Sequence, residues 1–195
     1  MTLPAPNPAT SDALMCPSHA LLPSQARSAL RDAAASLDLA ERFKQPLEMS
    51  LALAQMARCY RALEAFGPAE GCLQQALGWA HVLGAMDQAV EILCLLAETR
   101  CSIAETLADD DPARSHAALE RTRDAVFEAA GVVGSVADPA WEIKVLLRIS
   151  DVLDRCGDHD DAVELQSRAM RLMYVESPAG QAVEAAPTLH AASDC

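Results

Sequence analysis

Helical periodicity between residues 23 and 176 limits the possible folds of this chain more than any other feature. Apolar residues recur there every three or four positions, which is the spacing of one face of a helix. Glycine, proline and aspartate interrupt the period and divide the region into seven segments. The sequence therefore predicts an all-α domain of about seven helices joined by short turns.

Composition favours the same fold class. Hydrophobic residues make up 51% of the 195 residues but aromatic residues only 4%, and alanine and leucine recur throughout. Small side chains let helix backbones approach closely, so we expect one densely packed domain without a large ligand cavity. The predicted helices cover residues 24–44, 46–66, 69–83, 86–107, 112–130, 139–153 and 158–176.

The clearest helix boundaries are two Asp-Pro pairs, Asp111-Pro112 and Asp138-Pro139. Aspartate is a preferred N-cap, and proline suits the first helical position because its missing N–H has no intrahelical partner there. Ser24 is the predicted cap of the first helix, and Gly67-Pro68 is the predicted break between the second and third. These signals place each helix next to its chain neighbour in an antiparallel arrangement.

The two ends of the chain differ from this central region. Residues 1–22 are rich in proline and small or polar residues, and residues 177–195 are similar, so both are predicted to be disordered. The N-terminus lacks the basic and continuous apolar segments of a secretory signal, and no stretch is long and apolar enough to span a membrane. We therefore expect a cytoplasmic protein.

The formal net charge of −13 argues against nonspecific binding to nucleic acid or to an anionic membrane, because both are polyanions. The seven cysteines are odd in number and include no C-x-x-C pair. Most lie in apolar helical segments, which favours reduced, buried thiols. Cys94 and Cys101 are seven positions apart on one helix face, which is too far for an easy disulfide.

Two pairs of predicted helices share one internal spacing. In each pair a leucine is followed four positions later by a small residue and three further by a larger apolar one. An alanine comes nine positions after that, and a second alanine follows seven positions later. The residues are Leu53, Ala57, Tyr60, Ala69 and Ala76 in one pair, and Leu146, Ser150, Leu153, Ala162 and Ala169 in the other.

This spacing resembles the tetratricopeptide repeat, in a divergent form with long helices that covers residues 46–176. The tryptophan and proline typical of that repeat are missing, and the second helix of the middle pair fits only after an insertion. The resemblance implies antiparallel helix pairs stacked as a short right-handed α-solenoid. A helical bundle closed around a single core is the alternative.

The resemblance also implies a concave groove that binds a protein or peptide, lined by the first helix of each pair. Leu51, Leu95 and Leu147 would supply apolar area on that groove. Arginine and lysine there favour an acidic segment, since guanidinium groups bind carboxylates at two points. The alternative is that these cations pair with Asp151, Asp154 or Glu98. The predicted partner-binding residues are Gln55, Arg58, Arg61, Glu98, Lys144 and Arg148.

Acidic turns are the candidate metal sites. Residues 156–161 combine Cys156 and His159 with three aspartates, and Asp109, Asp110 and Asp111 form a second group. Neither group has the spacing of a zinc site or of a calcium-binding EF-hand loop. Both groups fit better as helix starts, where carboxylates are favourable. No phosphate loop, nucleophile elbow or H-E-x-x-H occurs, so we expect no catalytic residue, no metal and no cofactor.

The sequence thus predicts a non-enzymatic scaffold that binds a polypeptide. A small dedicated chaperone for a secreted substrate and a metal-dependent enzyme that uses the acidic turns are the alternatives. Homo-oligomers built through exposed helix faces are compatible with the same pattern.

Overall fold

Seven α-helices make up most of the chain in the computed structural model, which describes residues 22–136 and 138–176. No strand occurs in those ranges, so the predicted all-α class and the number of helices are confirmed there. The predicted leader, apart from Leu22, and the predicted tail lie outside them. The helices are α1 (Pro23–Arg42), α2 (Pro46–Ala62), α3 (Phe66–Leu83), α4 (Met86–Leu107), α5 (Pro112–Val133), α6 (Pro139–Arg155) and α7 (His159–Glu176).

The two Asp-Pro pairs begin helices as predicted. The Asp111 carboxylate accepts a hydrogen bond from the Arg114 backbone N–H at 3.1 Å, and Pro112 is the first residue of α5. The Asp138 carboxylate likewise accepts from the Trp141 N–H at 3.0 Å at the start of α6. Each side chain satisfies one of the backbone donors that a helix start leaves without an intrahelical partner.

Three predicted boundaries are wrong. Gly67 and Pro68 do not separate helices but lie in the first turn of α3, where proline sacrifices no intrahelical hydrogen bond. Ser24 is not a cap, because α1 begins at Pro23. The fifth helix, predicted to end at Ala130 before Gly131 and Gly134, continues through Gly131 to Val133, and Gly134 is its C-cap. Each of these residues is compatible with a helical position.

One turn geometry recurs where helices end. The residue after the helix C-cap has a positive φ, and the next N–H bonds to a carbonyl five residues earlier, as in a Schellman motif. The turns α1/α2, α2/α3 and α6/α7 share this geometry. Their positive-φ residues are Lys44 (51°), Glu64 (57°) and Gly157 (83°), and their N–H to O distances are 2.9 Å for Gln45 to Ala40, Ala65 to Tyr60 and Asp158 to Leu153.

Helix α4 lies at the centre of the packing. Each helix contacts its neighbour in the chain, and α4 also contacts α6. Residues 88–97 of α4 are all buried, polar ones included, which is typical of a helix covered on every side. Four small residues of the repeated spacing are at most 1% exposed: Ala57, Ala69, Ser150 and Ala162.

Candidate functional site

Five charged side chains from α2, α4 and α6 come together on one face of α4. Arg58 and Arg61 extend from α2, Glu91 and Glu98 belong to α4, and Arg148 extends from α6. We call this group the arginine–glutamate cluster. Because α2, α4 and α6 are the first helices of the three proposed pairs, the cluster lies where the sequence predicts a binding face.

Glu98 joins the helices on either side of it. One carboxylate oxygen accepts from Nη1 of Arg61 at 2.5 Å, and the other accepts from Nε of Arg148 at 2.5 Å. The Glu98 side chain is 17% exposed, so both ion pairs are largely removed from water. Charge-assisted hydrogen bonds of this kind are stronger than neutral ones. The carboxylate therefore fixes the positions of α2 and α6 relative to α4.

Glu91 is the most deeply buried member of the cluster, with a side chain that is 7% exposed. Its Oε2 accepts a hydrogen bond from Nη1 of Arg148 at 2.9 Å. Arg148 thus bonds to two carboxylates that are seven residues apart on α4. Glu91 lies two turns before Glu98, so the two carboxylates share one face of α4.

The ion pairs change the acid–base properties of the cluster. Burial raises the pKa of Glu98, but the positive charge of Arg148 and the hydrogen bonds from both arginines outweigh it, so the pKa lies below its ordinary value. Burial lowers the pKa of Arg148, but the charge of Glu98 raises it by a larger amount. The pKa of Arg148 therefore lies above its ordinary value. Both groups therefore stay charged at neutral pH.

Arg58 differs from the other two arginines of the cluster. Burial lowers its pKa, and the nearby charge of Arg148 lowers it too, while the carboxylate of Glu91 opposes both effects. The cluster contains three guanidinium groups and two carboxylates, so it carries one net positive charge. Below these charges, burial raises the pKa of the Cys94 thiol to about 12, which keeps it protonated.

The structure brings together four of the six predicted site residues, namely Arg58, Arg61, Glu98 and Arg148. Lys144 lies one turn before Arg148 on α6 and is exposed, and it forms no ion pair within the described ranges. Gln55 instead lines a cleft of about 370 Å³ between α1 and α2. Of the carboxylates considered as partners for the cations, Glu98 is bound by two arginines.

The prediction that Leu95 supplies apolar area to a groove is wrong. Leu95 is 4% exposed, and Glu91, Cys94 and Cys101 are buried as well, so these residues offer no apolar area to a partner. They are covered because α4 is the central helix and the arginines of α2 and α6 reach across it. Leu147 on α6 is 40% exposed, whereas Leu51 on α2 is partly exposed and lines the same α1/α2 cleft as Gln55.

Other arginines also connect helices. Arg100 of α4 donates to Glu70 of α3 at 2.8 Å, and Arg155 of α6 bonds to both oxygens of Glu105 of α4 at 2.8 Å. Arg168 of α7 donates to Glu142 of α6 at 2.6 Å and to a carbonyl of α5. Sequence spacing could not reveal these pairs, since each joins residues at least 26 positions apart.

The acidic turn before α7 is occupied by structural contacts. Asp158 accepts two hydrogen bonds from Arg123 of α5, at 2.6 and 2.7 Å. Nδ1 of His159 lies 2.5 Å from the Asp154 carboxylate, and the Cys156 sulfur lies 3.6 Å from the Cys101 sulfur. Within the described part of the chain, no group of three or more histidine, cysteine, aspartate or glutamate side chains is arranged to hold a metal ion.

Comparison of the chain with protein-family models and with curated proteins finds no match. Among the helices described, none is both long enough and apolar enough to cross a membrane.

Proposed function

We propose that this protein is a helical-repeat scaffold similar to tetratricopeptide proteins, which binds a polypeptide partner on the face shared by α2, α4 and α6. The observation that carries the proposal is the double bridge at Glu98, bonded to Arg61 of α2 and to Arg148 of α6. A bridge on both sides of one residue supports an arrangement in which these three helices lie side by side.

The helix contacts support this arrangement for α4 and α6. Each helix contacts its chain neighbour, and α4 additionally contacts α6, the first helix of the next proposed pair. In a stack of helix pairs the first helices form one continuous wall, and such walls are used as extended binding surfaces. The pairs α2/α3 and α6/α7 are each joined by a turn with one positive-φ residue, whereas the turn from α4 to α5 has none.

The accessible part of this face sets the chemistry of the partner. Lys144 and Leu147 are exposed on α6, and the adjoining cluster carries one net positive charge in a chain of net charge −13. A partner segment that combines carboxylates with an apolar side chain would complement this surface. The partly buried Arg61 and Arg148 hold the three helices together through Glu98. Lys144 is the cation most available to the partner.

A charge-reversal experiment tests the proposal. Full-length protein and the double variant Lys144→Glu/Leu147→Asp are used to recover partners from the native host, with identification by mass spectrometry and measurement of Kd by calorimetry. Both residues are exposed, so circular dichroism should show an unchanged helix content. We expect the partner bound by the wild-type protein to bind the double variant at least ~10-fold more weakly.

Arg171→Glu is the matched control, because it reverses one exposed positive charge on α7, outside the proposed face. The control should bind as the wild-type protein does. Equal binding of the wild-type protein and the double variant would refute the assignment of the face.

A further inference from the structure

Two cysteines from distant parts of the chain lie side by side. Cys101 of α4 and Cys156, the C-cap residue of α6, are 55 positions apart, and their sulfur atoms are 3.6 Å from each other. A disulfide bond is about 2.05 Å long, so side-chain rotation needs to bring the sulfurs closer by roughly 1.6 Å. No other pair of the described cysteines has a recorded sulfur contact.

The two thiols are not equivalent. Cys101 is fully buried, whereas Cys156 is partly exposed at the C-cap position of α6. A hydrogen bond with the Cys101 thiol lowers the pKa of Cys156, and the charges of Arg123 and Arg155 lower it further. Burial and the charge of Asp158 raise this pKa but do not outweigh those effects, so it lies below its ordinary value. The same hydrogen bond and burial raise the pKa of Cys101. Cys156 is therefore the thiol that ionises first.

We infer that Cys156 and Cys101 form a redox-modification site, at which a hydroperoxide converts the two thiols into an intramolecular disulfide. In the first step the Cys156 thiolate attacks one oxygen of hydrogen peroxide. The O–O bond breaks, and the leaving hydroxide takes a proton from solvent to form water. Cys156 becomes a sulfenic acid, two electrons having passed to the peroxide.

In the second step the sulfur of Cys101 attacks the sulfur of Cys156. The S–O bond breaks, and the hydroxide leaves with the proton lost by Cys101, as a second water. Two thiols and one hydrogen peroxide thus give one disulfide and two waters. A dithiol reductant reverses the change by disulfide exchange. The site does not depend on the identity of the partner in the proposed function.

The disulfide would join α4 directly to the turn between α6 and α7. At present α6 is held to α4 in this region by the exposed ion pair of Arg155 with Glu105. A covalent link that closes a loop of this length restricts the unfolded chain, so the oxidised protein should melt about 10 °C above the reduced protein. The modification would therefore fix the end of α6 to α4.

Peptide mapping tests the inference on the full-length protein. The reduced chain is treated with a small molar excess of hydrogen peroxide, alkylated, digested with trypsin without reduction and analysed by mass spectrometry. Trypsin releases Cys101 on residues 101–114 and Cys156 on residues 156–168. We expect these two peptides to be linked, with the loss of two hydrogens, and to separate after treatment with dithiothreitol. The linked protein should show the raised melting temperature.

Variants distinguish the two roles. Cys101→Ser should leave a sulfenic acid on Cys156, trapped by dimedone on peptide 156–168, and Cys156→Ser should abolish the link and the rise in melting temperature. Cys72→Ser is the matched control, since Cys72 is another partly buried cysteine, and it should form the link as the wild-type protein does. Peptides 101–114 and 156–168 that stay unlinked in oxidised wild-type protein, or that link to other cysteines instead, would overturn the inference.

Discussion

Replacing Glu98 by glutamine should destabilise the protein by about 2–3 kcal/mol. The substitution keeps the size of the side chain but removes the charge that two arginines share. Breaking a fully buried ion pair costs about 3–5 kcal/mol, and exposed pairs contribute about 0–1 kcal/mol. Glu98, Arg61 and Arg148 have side chains that are 17%, 24% and 32% exposed, so the cost should lie between these limits.

Glu105→Gln is the matched control, because it makes the same change on the same helix. Glu105 also pairs with an arginine, Arg155, at 2.8 Å, but the two side chains are 50% and 43% exposed. Water screens that pair, so the expected cost is below about 1 kcal/mol.

Urea denaturation followed by circular dichroism gives the free energy of unfolding of both variants. If Glu98→Gln and Glu105→Gln differ from each other by less than about 0.5 kcal/mol, burial does not strengthen the bridge at Glu98, and the reasoning from exposure is refuted.

Three further predictions concern the fold and its pH dependence. The pKa of Glu98 is lower in the folded protein than in the unfolded chain. The stability that this carboxylate contributes is therefore present above about pH 4.5 and is lost as the pH falls through the folded pKa. The free energy of unfolding should fall more steeply between about pH 5 and pH 3 in the wild-type protein than in Glu98→Gln. Leu93 is 2% exposed, so Leu93→Ala should lower the free energy of unfolding in urea by about 2–5 kcal/mol. Met170 is 67% exposed, so Met170→Ala should lower it by less than about 1 kcal/mol. Similar losses of stability in the two variants would contradict the central position of α4. Asp138→Ala should lower stability by about 1 kcal/mol in thermal melts because it removes the N-cap side chain of α6. Asp138→Asn should lower stability by less, since asparagine can still accept the cap hydrogen bond. Equal losses in the two variants would mean that this hydrogen bond contributes nothing to stability.

Local sequence signals predicted much of the fold, and they failed where several structures suit the same residues. Asp138-Pro139 combines a side-chain acceptor with a residue that needs no intrahelical donor, and it begins a helix as expected. Gly67-Pro68 looked like a break, but the chain turns three residues earlier, around Glu64, which has a positive φ without being glycine. Glutamate has no local preference that would reveal such a turn.

The sequence could predict which face of a helix each site residue occupies, but not which residues of different helices pair. The resemblance to the tetratricopeptide repeat implied that Arg61, Glu98 and Arg148 face one common groove. It could not show that Glu98 lies between the two arginines, because pairing across helices depends on how far the helices tilt and approach. It also left Leu95 on the predicted surface, where the packing around α4 buries it.

Site-specific photo-crosslinking in the native host tests the central claim, that the face of α2, α4 and α6 binds a polypeptide. The photoreactive residue p-benzoylphenylalanine is introduced at Leu147 on α6 or, as the control, at Met170 on α7. Both side chains are exposed, at 40% and 67%, so both positions should accept the bulky residue. The account predicts a protein adduct from position 147 and none from position 170. An adduct from position 170 with none from position 147 would contradict it.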